Sequence, residues 1–365
     1  MNTLVPLDYY TPIYFHFLLL VVLVMFYQST IVPMEASENL NRKNQIGIFL
    51  LIAVLAYMGL RPISFVFGDM GIYAREFKMF VYGKIPEYET NILFEFIMYN
   101  FSQLGSAEAF FFFCAMLYII PLYYVSKSLF KDYWYYSFLI LITSFSFWAF
   151  GTNGIRNGIA TSLFLFALTR KNFTLQILIF VAIVFIHKSS MLIILSFFLV
   201  KYIKDPKLYF AFWFLATPLS LALGGFLEAF FLGLGFGEEA KLDAYLGEFD
   251  QANEGVVLKT GFRWDFLLYS ASGILAAWYY TIKRGFKDEY YIQLVNMYLF
   301  LNGLWILVIR SNYSNRFAYL SWFMLGLIII YPLLKNKLFD NQHAVVGRII
   351  AIYFLFTYLL NVILA

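Results

Sequence analysis

The stretch WAFGTNGIRNGIATSLFLFAL, residues 148–168, places a single arginine, Arg156, between two long apolar runs. Residues 133–155 before it and 157–169 after it contain no charged side chain. A helix needs about 20 predominantly apolar residues to cross the hydrocarbon core of a bilayer. Each run therefore predicts a transmembrane helix, and Arg156 marks the short turn that joins the two.

The composition of the whole chain indicates the same environment. Of its 365 residues, 62% are apolar and only 13% are charged, against about 25% charged residues in an average soluble domain. Apolar runs of similar length recur at residues 13–32, 109–126 and 345–365, the last of which includes Arg348. A membrane β-barrel would instead show alternating segments of about ten residues. The predicted fold is all-α: a polytopic integral membrane protein with a single transmembrane domain, 1–365.

The lengths of these runs predict about twelve transmembrane helices and two longer outer loops. The predicted helices are 13–32, 46–60, 109–127, 133–150, 154–169, 172–187, 189–203, 208–227, 263–283, 289–309, 314–334 and 345–364. The loops are about 61–90 and 228–262. Residues 91–107 are apolar but carry Glu95, so we expect a re-entrant or interfacial helix there.

Basic residues fix the predicted orientation, because short cytoplasmic loops are enriched in lysine and arginine. With the spans above, six basic clusters fall on alternate connections, which are predicted to be cytoplasmic. If 91–107 were a full span, five of the six clusters would lie outside. The clusters are Arg42/Lys43, Lys127/Lys131, Arg170/Lys171, Lys201/Lys204/Lys207, Lys283/Arg284/Lys287 and Lys335/Lys337 with Arg348. Both termini and both long loops are therefore predicted outside. The net charge of +4 gives no reason to expect a nucleic-acid partner.

Other ionisable residues collect at the predicted outer ends of the helices. Charged groups next to hydrocarbon are costly unless they are paired or lie in a wet cavity, which makes each of them a functional candidate. Arg156 is flanked by Gly154 and Gly158 at the start of a helix, where backbone N–H groups and a guanidinium can bind a phosphate together. Snorkelling of the side chain to the interface is the alternative.

Further arginines repeat this pattern. Arg310 and Arg316 flank a short outer turn in WILVIRSNYSNRFAYL, and GFRWDF adds Arg263 with Asp265. Several arginines on one wall of a helical bundle suit a substrate with a pyrophosphate, because a guanidinium binds phosphate bidentately. The sequence thus predicts a pyrophosphate site on the outer side.

Two residues are candidates for moving a proton. Asp69 in the first outer loop is a possible general base for a sugar hydroxyl, and His187 lies between two short spans on the arginine side. His187 has an alternative as a hydrogen-bonded interface residue. Glu87 and Glu89 flank Tyr88 in a weak metal-binding pattern. The three histidines are scattered and the one cysteine pairs with none of them, so no metal site is predicted.

Four motifs in order resemble the EpsG family of exopolysaccharide proteins, which belongs with the Wzy-type polysaccharide polymerases. The motifs are GDMGIY (68–73), GIRNGIATSLFLFAL (154–168), FIHKSSMLI (185–193) and NRFAYLSWFMLGLIIIYPL (315–333). The resemblance follows motif order over about residues 55 to 335. It implies a multi-pass protein of the bacterial inner membrane that joins oligosaccharide repeat units carried on undecaprenyl pyrophosphate, with its active site on the periplasmic face.

The resemblance also implies site residues. The family aspartate and tyrosine fall on Asp69 and Tyr73, the arginine on Arg156, and the His-x-Ser on His187 and Ser189. The Asn-Arg pair falls on Asn315 and Arg316. Met70 and Gly71 lie between Asp69 and Tyr73.

Chemistry and resemblance together predict a division of roles. Positive charge stabilises the leaving pyrophosphate as its negative charge develops, a role that falls to Arg156, Arg310 and Arg316, with Arg75 and Arg263 as further carriers. Asp69 or His187 deprotonates the acceptor hydroxyl, and Tyr73, Lys188 and Asn315 complete the predicted binding residues. Because the leaving group is already activated, neither a metal nor another cofactor is required. The expected partners are the lipid-linked oligosaccharide, the bilayer and a chain-length regulator protein.

Three other functions remain open at this point. A lipid-linked-sugar glycosyltransferase would share the topology but should need a metal. A flippase or transporter of the same lipid-linked oligosaccharide would spread its cationic groups through a central cavity, and the sequence shows no obvious twofold repeat of the kind that many transporters carry. A ligase that moves finished glycan to a lipid core would differ mainly in its acceptor.

Overall fold

The computed structural model describes residues 5–231, 262–310 and 314–364, and within them the side chains of 228–231 and 315 are not described. Helices account for most of these residues, and no strand occurs in the described ranges. The all-α prediction is confirmed. Five described helical segments are long and apolar enough to cross a membrane, which supports a multi-pass membrane protein. The number of twelve spans stays a prediction.

The chain divides into two compact units, residues 1–190 with 330–365, and residues 191–329. In the described part of the first unit, nine α-helices precede residue 190: α1 (Leu7–Ile31), α2 (Ser37–Gly59), α3 (Asp69–Val81), α4 (Ile92–Gln103), α5 (Ala107–Phe130), α6 (Trp134–Ile142), α7 (Phe145–Thr152), α8 (Ile155–Leu168) and α9 (Phe173–Ile186). The second unit contains α10 (Met191–Tyr202), α11 (Pro206–Phe231), α12 (Trp264–Trp278), α13 (Glu289–Leu307) and α14 (Ser314–Trp322). Helix α15 (Leu325–Lys335) runs from the second unit into the first, and α16 (Gln342–Tyr358) belongs to the first.

Two predicted elements differ from the structure. The predicted span 133–150 consists of two short helices, α6 and α7, with a break at Thr143 and Ser144. The hydroxyl of Thr143 donates to the backbone carbonyls of Leu139 and Ile140, a bond that often bends a helix. The predicted loop 61–90 contains α3, a 13-residue helix. The charged residues of α3 lower its mean hydropathy, so hydropathy did not predict this helix.

Stacked aromatic side chains hold α1, α2 and α7 together in the first unit. Trp148 of α7 stacks on Tyr14 of α1 at 4.4 Å between ring centroids, and its indole N–H donates to Thr11. Tyr10 and Tyr57 stack at 4.4 Å, and each hydroxyl donates to the backbone carbonyl of the other residue. Because these buried polar groups are satisfied within the bundle, the stack is stable in an apolar setting. It fixes α7 and the turn that follows it.

A buried polar cluster organises the second unit. Asn302 of α13 accepts a hydrogen bond from the indole of Trp213 at 2.8 Å and donates to the hydroxyls of Ser270 and Ser321 at 3.1 and 3.0 Å. The indole of Trp322 donates to Ser270 at 2.7 Å. One amide therefore connects α11, α12, α13 and α14.

We expect Asn302→Ala to destabilise the protein by about 2 kcal/mol, because the truncation leaves buried partners without a hydrogen bond. Thermal unfolding of the purified protein in detergent measures this. Asn100→Ala is the matched control, since Asn100 is exposed on α4 and surface changes usually stay within about 0.5 kcal/mol. Equal melting temperatures for the two variants would contradict the role of Asn302 as a hub.

Candidate functional site

Arg156 lies in the first turn of α8, directly after the tight turn that joins α7 to α8. Gly154 occupies the N-cap position and has no side chain with which to cap the helix. A Cβ at Gly158 would lie 2.7 Å from the carbonyl oxygen of Phe150, so the glycine allows α7 and α8 to approach closely. The positive end of the helix dipole and the guanidinium of Arg156 thus lie together, an arrangement that favours an anion.

A second segment is attached to this turn by Asn153. The side-chain oxygen of Asn153 accepts a hydrogen bond of 2.9 Å from the backbone N–H of Asp69, the first residue of α3. Gly68, directly before Asp69, has a φ of +60°, and a Cβ there would lie 2.2 Å from the same Asn153 oxygen. Only glycine meets both requirements without strain. Asn153 therefore positions the start of α3 beside Arg156.

Helix α3 presents a polar stripe of three residues. Asp69, Tyr73 and Glu76 follow the spacing i, i+4, i+7, which places them on one helical face. The guanidinium carbon of Arg156 lies 5.5 Å from the centre of the Tyr73 ring, and Tyr73 packs edge-on against Phe94 of α4 at 5.1 Å. The structure thus brings together Asp69, Tyr73 and Arg156, three of the predicted residues.

Glu76 is a member of this stripe that the sequence analysis missed. Its carboxyl is half-buried. Burial is the main cause that raises its pKa, the Glu95 carboxylate raises it further, and the Arg156 guanidinium opposes the shift. The i, i+4, i+7 spacing of Asp69, Tyr73 and Glu76 indicates a shared helical face. Because 61–90 was predicted as a loop, this face was not predicted.

Helix α4 is attached to the end of α9 in a similar way. The side-chain oxygen of Asn91, at the N-cap of α4, accepts a 3.2 Å hydrogen bond from the backbone N–H of Lys188. His187 is the C-cap of α9 and is 4% exposed, whereas the side chain of Lys188 is exposed. The short turn Lys188–Ser190 also packs against α8. His187 therefore lies in the same unit as Arg156, at a buried position.

Two more arginines border α3. Arg75 is exposed on α3, with its guanidinium carbon 5.3 Å from the centre of the Phe65 ring. Arg61 is 4% exposed and donates to the backbone carbonyl of Met58. Burial lowers the pKa of Arg61 to about 10, so it stays charged at neutral pH. The first unit thus concentrates cationic groups around the beginning of α3.

The second unit carries the remaining predicted arginines. Arg263 forms a bidentate ion pair with Asp265, with N···O distances of 2.9 and 2.6 Å, and stacks on Phe266 at 3.6 Å. The guanidinium fork of Arg263 therefore already faces a carboxylate. Arg310 lies 6.0 Å from the ring centre of Phe262.

Arg316 lies in the first turn of α14. The predicted side chain of Asn315 and almost all of the predicted outer loop 228–262 lie outside the described residues. Within the described ranges, no group of three or more His, Cys, Asp and Glu side chains is placed to hold a metal ion.

The sequence model of the EpsG family matches residues 46–365, which is most of the chain. No curated protein and no solved structure matches the chain. The matched range contains the α7–α8 turn, the α3 stripe and the α4–α9 connection described above. Membership of this family suggests a role in polysaccharide polymerisation at a membrane. The chain belongs to the EpsG family, a family of Wzy-type polymerases.

Proposed function

We propose that the protein joins oligosaccharide repeat units carried on undecaprenyl pyrophosphate, at the outer face of the bacterial inner membrane. The observation that carries this proposal is Arg156, which combines a guanidinium with the start of α8 beside a stripe of polar residues on α3. A cation and a helix N-terminus suit the pyrophosphate of a lipid carrier. The neighbouring hydroxyl and carboxyls suit a sugar.

Each predicted residue has a role in this proposal. Arg156 stabilises the leaving pyrophosphate, where negative charge develops in the transition state. Arg75 is a further carrier of charge in the first unit. Arg263, Arg310 and Arg316 keep the role predicted for them from the sequence, as further cationic residues for the pyrophosphate. Tyr73, Lys188 and Asn315 bind the glycan or its pyrophosphate. Asp69 and His187 are the candidates for the base that accepts the proton of the attacking hydroxyl.

The reaction we propose needs no metal, because the pyrophosphate is a good leaving group and the arginines supply the positive charge. The expected result is a ladder of products when purified protein in proteoliposomes receives undecaprenyl-pyrophosphate-linked repeat units in the presence of a chelator. The products are separated on a gel. Addition of one sugar only would indicate a glycosyltransferase, and movement of intact substrate between leaflets without any product would indicate a transporter.

A further inference from the structure

Glu76 lies on the polar stripe of α3, one helical turn after Tyr73. Tyr73 contacts Arg156 across the interface between α3 and α8. Glu76 follows Tyr73 at the spacing i, i+3, which places it on the side of α3 that carries the Arg156 contact. Helix α3 also packs on α4, which covers part of the surface of α3. Glu76 is thus half-enclosed but not sealed from solvent.

Charged groups from every neighbouring element act on this carboxyl. Glu95 on α4 and Glu87 in the segment between α3 and α4 disfavour its ionised form, and Arg156 on α8 and Lys84 favour it. Glu95 itself accepts a 3.2 Å hydrogen bond from the backbone N–H of Tyr88. Burial is the main cause that raises the pKa of Glu76, and the two acidic neighbours raise it further. A base works best when its pKa approaches the working pH.

We propose that Glu76 is the general base that takes the proton from the acceptor hydroxyl; this rests on the proposed function. The hydroxyl proton moves to a carboxylate oxygen of Glu76, and the hydroxyl oxygen forms the new bond to the anomeric carbon of the donor. The bond from that carbon to the pyrophosphate breaks, and its electron pair leaves with the lipid pyrophosphate beside Arg156. Glu76 then releases its proton to water.

The two residues predicted from the sequence are less suited to this step. Asp69 is the first residue of α3, and its backbone N–H is bound by Asn153, so it holds the start of the helix to the α7–α8 turn. His187 is 4% exposed at the end of α9, which leaves little room for an acceptor sugar. Asp69 lies about 10 Å along the helix from Glu76.

Glu76→Gln tests the proposal because it keeps the size of the side chain and removes the base. We expect kcat for chain extension to fall by about 100-fold or more, with little change in KM. Wild-type activity should rise with pH through the pKa of Glu76, since only the carboxylate accepts a proton, and the residual activity of Glu76→Gln should lack this rise. Glu76→Asp should keep the rise and part of the activity.

Glu108→Gln serves as the matched control, because Glu108 is an exposed glutamate at the start of α5. Its activity should equal that of the wild type. A Glu76→Gln variant that retains wild-type kcat, or the pH-dependent rise, would overturn the role of Glu76 alone. A Glu76→Asp variant that folds normally by gel filtration but has lost the rise would overturn it too. A wild-type protein that forms no ladder would overturn the proposed function, and Glu76 with it.

Discussion

Arg156→Ala is expected to lower polymer synthesis by about 100- to 1,000-fold, the usual loss when one stabilising donor is removed from a transition state. The chain should still insert and fold, because Arg156 lies at a helix end and is half-buried. Unpolymerised single repeats should accumulate. Gel analysis of the products in proteoliposomes measures the ladder, and gel filtration measures folding. Arg156→Lys should retain part of the activity, since it keeps the charge but loses the planar fork.

Arg170→Ala is the matched control for this experiment. Arg170 follows the opposite end of the same helix, and its guanidinium carbon lies 4.2 Å from the centre of the Phe166 ring. The loss of an arginine stacked on an aromatic ring is therefore common to both variants, and the position relative to the proposed site differs. Normal ladders from Arg156→Ala, or an equal loss from Arg170→Ala, would refute the placement of the pyrophosphate at the start of α8.

Gly68→Ala is expected to lower activity by about 100-fold, because displacement of a reacting group by about 1 Å can cost that much. The new methyl carbon would lie only 2.2 Å from the Asn153 side-chain oxygen, closer than the two atoms can approach. Asn153 must then move, and the hydrogen bond to Asp69 that positions α3 is lost. The positive φ of Gly68 adds backbone strain of about 1–3 kcal/mol. Polymer yield and the melting temperature together measure both effects.

Gly83→Ala separates the clash from the strain. Gly83 also has a positive φ, +97°, but a Cβ there meets no atom within 4 Å. This variant should therefore lose stability and keep its activity. The double variant Gly68→Ala with Asn153→Ala should be no less active than Gly68→Ala, because the bond that Asn153 makes is already broken. Additive losses in this cycle would show that Gly68 does not act through Asn153.

The sequence was sufficient for the helical class and for the position of Arg156 at the start of a helix, because both depend on local patterns. Helix α8 begins at Ile155, one residue from the predicted start at 154. Helix α3 was within reach, since its buried residues Met70, Tyr73, Phe77 and Phe80 recur at helical spacing. The apolar content of 61–90 was too low for a transmembrane helix, so a loop was predicted there. The amphipathic helix α3 was missed for this reason.

Contacts between distant segments could not be predicted from this one sequence. The bond between Asn153 and Asp69 joins residues 84 positions apart, and the one between Asn91 and Lys188 joins residues 97 apart. Neither asparagine has a local pattern that indicates its partner. The contact between Tyr73 and Arg156 depends on this arrangement of α3, so the sequence alone does not indicate that Glu76 shares a helical face with a residue of the site.

The bond between Asn153 and Asp69 also has a consequence for the order of events during biosynthesis. Asp69 leaves the ribosome 84 residues ahead of Asn153, which corresponds to roughly 4–17 s at usual rates of translation. During this interval, the beginning of α3 has no partner for its first N–H group from the α7–α8 turn. The hydrogen bond between α3 and the α7–α8 turn can therefore form only after residue 153 has been synthesised, at a later stage of assembly.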